Sequence, residues 1–313
     1  MSRHVSPQPD RRRVLVGVAF VALVIVSVGV VLGLRLGDAP ESAPGAAGPP
    51  PTSQAPPPSS SPAPKEPVAS GELSESFAQF QRQTFGEEVA GLVVQAIGQA
   101  PVTVAPWNGE TTAWSTIKVP LAIAALDEGL GEQLDADITA ALTVSDNDAA
   151  ERIWAALGSG DAAAAKVEAV LDDPATTVQA ERIRPPYTPF GQTKWQLEDQ
   201  VGFLSRIACA GDESAQQVLT LMGRVSADTW GLGRIEGTKF KGGWGPGAQS
   251  GYLVRQFGVL ADASGAPATV VALIVEPGSF DEGTSESNSI AQWLTDNRAL
   301  LPVGHCAPAT PGA

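Results

Sequence analysis

Histidine is nearly absent: the chain carries two, His4 near its start and His305 near its end. A Ser-His-Asp hydrolase needs an imidazole beside its nucleophile, and a histidine-based metal centre needs several that converge. Neither class fits, so a hydrolase here would take its base from lysine or a carboxylate. Cysteine is as scarce. Cys209 and Cys306 stand alone, and neither their number nor their spacing suits a metal. In an exported domain they could form one disulfide, or each could be a buried thiol. Basic residues are outnumbered, with 20 Lys and Arg against 34 Asp and Glu, and the formal net charge is −14. That balance argues against nucleic acid or an anionic membrane surface as partner and serves solubility. Gly231-Leu232-Gly233 lacks the strand-turn-helix context and third glycine of a nucleotide fingerprint. No metal or cofactor is implied.

One long apolar run is present. Val14 to Leu34 holds only Val, Leu, Ile, Ala, Phe, Gly and one Ser, and roughly 20 such residues in a helix span a bilayer core. No small-residue cleavage pattern follows Leu34 (Arg35 does), which favours an uncleaved signal anchor over a cleaved leader. Arg3, Arg11, Arg12 and Arg13 precede the run, so residues 1–13 are expected inside and the remainder outside. Residues 35–69 are rich in Pro, Ala, Ser and Gly, with Pro49-Pro50-Pro51 and Pro56-Pro57-Pro58. Such a stretch cannot bury enough surface to fold and reads as a semi-rigid spacer. Residues 70–306 suit one domain with a sizeable core, followed by a short tail, 307–313. The expected location is the cell membrane, single-pass, with the C-terminal domain extracytoplasmic.

Within that domain, Glu72 to Gln83 has helical spacing of Leu73, Phe77 and Phe80. Val89 to Ile97 and Val102 to Pro106 read as a hairpin about Gly98-Gln99-Ala100. Helices are expected over Ser115–Leu126, Asp135–Leu142, Ala149–Leu157 and Ala162–Leu171. A long loop follows over 172–192. Thr193 with Gln196 reads as a capping box for a helix ending at Cys209, and Gln216 to Met222 is helical in pattern. Strands are expected around Phe240-Lys241, over Val254–Asp262 and over Ala268–Val275, then a helix over Ser285–Leu301. Strands at both ends with helices between imply an α+β fold. Its antiparallel sheet is built from both ends of the domain and flanked by helices, beside an all-helical lobe.

Ser115-Thr116-Ile117-Lys118 supplies the missing base. Serine opening a helix presents its hydroxyl and its N–H near the positive end, and Lys at i+3 lies one turn on along the same face. Burial of that lysine would favour its neutral form, able to accept the serine proton. Alone the spacing is weak, since an N-cap serine and a solvated lysine give it too. Ser145-Asp146-Asn147 falls in a break between helices, where hydroxyl and amide can face a cleft. Lys241-Gly242-Gly243-Trp244 lies on a strand, and glycines along a strand edge let a substrate approach the backbone.

Together and in this order, the three motifs resemble the active-site set of the penicillin-binding protein and class A β-lactamase superfamily. Ser115 to Pro120 is close to that family's nucleophile helix, Ser145-Asp146-Asn147 is its second motif, and Trp230-Gly231-Leu232-Gly233 before Lys241 is similar to its approach to the third. The likeness covers most of residues 85–303. It implies a β-lactamase/transpeptidase-like fold, with Ser115 as acylated nucleophile and Lys118 as base. Ser145 would relay a proton to the leaving group, Asn147 would order Lys118 and the substrate, and Lys241 would attract a carboxylate. Gly242, Gly243 and Trp244 would bind substrate, with the N–H groups of Ser115 and Trp244 as an oxyanion hole. Arg255 would either assist carboxylate binding or make a surface ion pair. The partner implied is a D-Ala-D-Ala-like peptidoglycan peptide or a β-lactam.

Three departures qualify the resemblance. The segment from Lys118 to Ser145 is short for the family, so the helical lobe is reduced. Gly242 stands where the family has Thr or Ser. No Asn occurs between Asn147 and Asn288 to pair with a loop glutamate such as Glu181 and hold a deacylating water. The expectation is therefore a serine hydrolase or acyltransferase with slow deacylation. The alternatives are a catalytically weak cell-wall-binding or partner-binding module and an active β-lactamase.

Overall fold

A computed structural model describes residues 68–87, 89–247 and 250–307. The anchor and spacer expected over 14–34 and 35–69 lie outside these residues, except for the last two positions of the spacer. No helix among the described residues is long and apolar enough to cross a membrane.

The five strands are β1 (Ala90–Ala96), β2 (Val102–Ala105), β3 (Lys239–Pro246), β4 (Tyr252–Ala261) and β5 (Pro267–Val275), all antiparallel, in the order β2-β1-β5-β4-β3. The sheet therefore joins both ends of the domain, as the element pattern implied. β5 lies at its centre because both faces of that strand are apolar. Val270, Ala272 and Ile274 point into a core shared with the middle helices, while Val271, Leu273 and Val275 point into a second core under the terminal helices. A strand covered on both faces reads as a continuous apolar run instead of an alternation.

The second core is closed by α1 (Val68–Thr84) and α8 (Phe280–Asp296). Their apolar faces meet where Phe77 sits edge-on to Trp293 at 4.8 Å. α8 begins earlier than the expected Ser285: Ser279 caps it, accepting from the Glu282 N–H at 3.3 Å and bonding its carboxylate at 3.2 Å. The serine therefore caps the helix, but the glutamate bonds the serine hydroxyl and not its backbone N–H, so only half of a capping box forms. The box expected at Thr193 and Gln196 does not form. The helix there, α6 (Leu197–Cys209), has Gln196 at its N-cap with no side-chain bond, and the Thr193 hydroxyl instead accepts from the Gln179 N–H at 3.0 Å.

On the other face lie α2 (Lys118–Asp127), α3 (Gly131–Thr143), α4 (Asn147–Ala156), α5 (Gly160–Leu171), α6 and α7 (Glu213–Met222). α2 is apolar on all sides, with Val119, Leu121, Ala122 and Ala124 buried to within 1%. A helix of that composition belongs at the centre of a lobe, and it carries the Ser115 motif at its start. Cys209 and Cys306 are bridged, with a Cα–Cα distance of 5.2 Å, so the segment after α8 is tied to the end of α6.

Candidate active site

The segment before α2 is a 3₁₀ turn, Trp114–Ile117, entered through Trp114 at φ +50°. A tryptophan in the left-handed region is held there by its surroundings. Its ring meets Tyr187 edge-on at 5.0 Å, and the Arg184 guanidinium lies 5.6 Å above it. Thr116 is pinned from within: its hydroxyl donates to the Ala113 carbonyl at 2.6 Å and accepts from the Gln200 amide on α6 at 3.0 Å. Between these two fixed neighbours, Ser115 is half-buried and lines the cleft.

Lys118 opens α2 and is 1% exposed. Its ammonium nitrogen donates to the Ser145 carbonyl and the Asn147 Oδ1, both at 2.7 Å, and more weakly to the Asp146 carbonyl at 3.3 Å. Burial, and then the like charge of Lys241, lower its pKa from 10.5 to about 7, against smaller opposing effects of Asp228 and Asp146. A pKa near 7 gives Lys118 a neutral fraction whose lone pair can take a proton. Ser145 is held at φ +58° in the break between α3 and α4. The break exists because Asp146 caps α4, accepting from the Ala149 N–H at 2.8 Å.

Lys241, on β3, is fully buried. It donates to the Ser145 hydroxyl at 2.8 Å and to the Gly242 carbonyl at 2.9 Å, with Asp228 at 3.9 Å. Desolvation lowers its pKa to about 8, with Asp228 opposing. Ser145 is thus the hinge of the site: its carbonyl holds one lysine and its hydroxyl the other.

β3 is an edge strand, and its free side packs against the Ser115 turn. A Cβ added at Gly243 would lie 2.7 Å from the Ala113 carbonyl and 2.9 Å from the Ser115 nitrogen. One added at Gly245 would lie 2.4 Å from the Trp114 ring. Glycine at 243 lets strand and turn touch backbone to backbone, and glycine at 245 makes room for the Trp114 ring. At Gly242 a Cβ would meet the Trp230 ring at 3.2 Å. Trp244 is 43% exposed, stacks with Tyr252 at 6.2 Å, and lines the cleft.

Five residues singled out from the sequence therefore come together: Ser115 and Asn147 line a cleft of about 880 Å³ whose strand side is Trp244-Gly245-Pro246, and Lys118, Ser145 and Lys241 are linked by hydrogen bonds behind it. Arg255 does not join them. It is 0% exposed and donates to the carbonyls of Thr111 (2.7 Å), Thr112 (3.1 Å) and Trp195 (3.0 Å). The sheet register explains this: Arg255 pairs with Gly243, and its guanidinium holds the segment leading to Ser115 at Thr111 and Thr112. It positions backbone and is neither a carboxylate ligand nor a surface ion-pair residue. Glu181 is exposed and does not line the cleft. The acids that do are Asp148 and Glu151 on α4, with Glu151 paired to Arg182 at 2.6 Å. The solitary imidazole of the domain, His305, sits at the β4–β5 turn, 4.0 Å from Asp262. Asp228 was not legible in the sequence, since no motif surrounds it. Its 8% exposure and its place beside Lys241 mark it only once the chain is folded.

No family model matches the sequence, and no curated protein does. Solved structures do resemble the fold. A variant of the last common ancestor of Gram-negative bacterial class A β-lactamases is 19% identical with a TM-score of 0.54, covering 75% of this chain and 100% of that one. The TLA-1 extended-spectrum β-lactamase is 13% identical at 0.58, covering 74% and 98%. A β-lactamase from Xanthomonas campestris is 16% identical at 0.56, covering 73% and 98%. At these identities the likeness is one of fold, and the domain has the class A β-lactamase fold.

Proposed function

We propose that this chain is a membrane-anchored, extracytoplasmic serine acyl-transfer enzyme, and that Ser115 forms an ester with a peptide-like amide of the D-Ala-D-Ala type or with a β-lactam. The observation that carries the reading is the paired-lysine arrangement about Ser145. Lys118, with its pKa brought to about 7, takes the Ser115 proton. Ser145, hydrogen-bonded to Lys241, passes a proton to the leaving group. The N–H groups of Ser115 and Trp244 take the developing oxyanion, a contribution of roughly 3–4 kcal/mol per donor in comparable sites. Deacylation is slow, because Glu181 faces solvent and Glu151, which lines the cleft, is paired with Arg182.

The anchor supports the setting: Val14–Leu34 fixes the domain outside the membrane, and residues 35–69 hold it away from the surface. Protease added to intact cells is expected to remove the domain and spare only residues 1–13 and the anchor. Mature protein free in the medium, starting beyond Leu34, would count against it. Incubating the full-length protein with a fluorescent penicillin tests the chemistry. A covalent adduct should map to Ser115 and vanish in Ser115→Ala. A second reading, a module that binds cell-wall peptide without turning it over, draws on Gly242, and it predicts no adduct at any concentration.

A further inference from the structure

Resting on the Ser115 reading, we infer that the aromatic wall of the cleft is a saccharide subsite, and that the acyl donor is a peptide still joined to a pyranose sugar. Trp244 is 43% exposed, and among the described residues no other aromatic side chain stands so far into solvent. It is not alone: Trp114, Tyr187 and Tyr252 line the same cleft. A lone exposed ring is ordinary, whereas a contiguous set of them marks a contact site. Trp244 is also held in place. Its ring stacks on Tyr252 with 26° between the planes and backs onto Phe280 at 4.9 Å, and its indole N–H donates to Asp228 at 3.4 Å.

The other ring pair is fixed by Arg184. Its guanidinium lies 5.6 Å from the Trp114 ring and 5.7 Å from that of Tyr187, and donates to the Pro246 and Gly247 carbonyls at 2.9 and 3.0 Å. Both pairs are therefore set before a ligand arrives, which lowers the ordering cost of binding. The two tryptophans flank the nucleophile. Trp114 precedes Ser115, and Trp244 follows Gly243, where a built Cβ lies 2.9 Å from the Ser115 nitrogen. At about 880 Å³ the cleft is near the upper end of small-ligand sites, roughly 300–1,000 Å³, so a sugar has room beside the peptide.

Aromatic faces alone would suit an apolar group as well, and the hydroxyls decide between them. Tyr187, Thr188 and Tyr252 all line the cleft, and none of their hydroxyls has a hydrogen-bond partner among the described residues. Tyr252 is held above its ordinary pKa by burial first and by Tyr187 second, which marks the two phenols as near neighbours. An apolar group laid over these rings would cover the hydroxyls and leave them without partners, at a cost for each one buried. A pyranose meets both demands. Its C–H groups give it an apolar face for the rings, and its own hydroxyls form a rim that donates and accepts. A sugar seated there lies beside Ser115, so it belongs to the donor whose carbonyl the serine attacks.

Calorimetric titration of the full-length protein with the N-acetylglucosamine tetramer makes the test, in a detergent without a sugar headgroup. Saturable binding is expected, and it should persist in Ser115→Ala. It should weaken about tenfold in Trp244→Ala. In Tyr252→Phe, which keeps the ring and removes one hydroxyl, it should weaken roughly threefold to tenfold. Phenylacetamide, a flat probe without hydroxyls, should not displace the tetramer. No saturable binding, binding untouched by both substitutions, or displacement by phenylacetamide would each overturn the subsite. Penicillin labelling of Ser115 is followed on the same preparation. Labelling without tetramer binding sinks the sugar subsite and leaves the acyl-enzyme reading standing; tetramer binding without labelling keeps the subsite and overturns the donor.

Discussion

Two opposite shifts in one pH profile would separate Lys118 as the base from every bystander. Its pKa is lowered to about 7, first by burial and second by the charge of Lys241, while Asp228 pulls the other way. If neutral Lys118 accepts the Ser115 proton, acylation should climb with pH and level off above about 8. Below pH 7 it should fall about tenfold per unit, as the neutral fraction does. Replacing Lys241 by Gln removes a like charge, so the midpoint moves up. Replacing Asp228 by Asn removes an opposite charge, so the midpoint moves down. The plateau rate drops in Lys241→Gln because the Ser145 hydroxyl loses its 2.8 Å donor, but the midpoint is read independently of that loss. The assay is single-turnover acylation with a fluorescent penicillin from pH 5.5 to 9. A flat profile, or shifts of the same sign in both variants, would refute the assignment of Lys118.

Lys118→Ala should slow acylation by roughly 10² to 10⁴-fold, the usual worth of a positioned base, and single-turnover kinetics at pH 8 read it. Gly243→Ala places a methyl group 2.7 Å from the Ala113 carbonyl; it should cost about 1–3 kcal/mol in urea unfolding and displace the Ser115 N–H, lowering acylation as well. The Cys209–Cys306 bridge closes a separation of 97 residues, which is worth up to about 4–5 kcal/mol on the chain-entropy account; reduction should lower the melting temperature, and an unchanged one would deny the bridge a role. Lys118 and Lys241 titrate near 7 and 8 when folded against 10.5 unfolded. The unfolded chain binds more protons between those values, so stability should rise from pH 7 to 9, by up to roughly 4 kcal/mol, measured as the urea midpoint at each pH.

The parts of this molecule that follow short-range rules were readable in the chain. The sheet built from both ends followed from where the apolar runs fall, and the three motifs marked five residues that meet at one site because their chemistry needs local spacing. Two sites failed where tertiary context decides. Thr193-x-x-Gln196 and Ser279-x-x-Glu282 fit the same capping pattern, but only the second caps its helix, because the Thr193 hydroxyl is taken by Gln179 across the loop. Arg255 sits in a strand whose register with Gly243 brings its guanidinium to Thr111 and Thr112 in the segment leading to Ser115, and nothing in its neighbours along the chain records that burial. Asp228 was missed for the same reason. Its meaning lies wholly in the 3.9 Å separation from Lys241.

The account rests most heavily on Ser115 and the backbone beside it, and a crystal structure of the protein after soaking with a β-lactam tests that directly. The expected result is continuous density from Ser115 Oγ to the opened lactam carbonyl, with the carbonyl oxygen within hydrogen-bond reach of the Ser115 and Trp244 N–H groups. An unmodified Ser115, or an adduct on another residue, would contradict it.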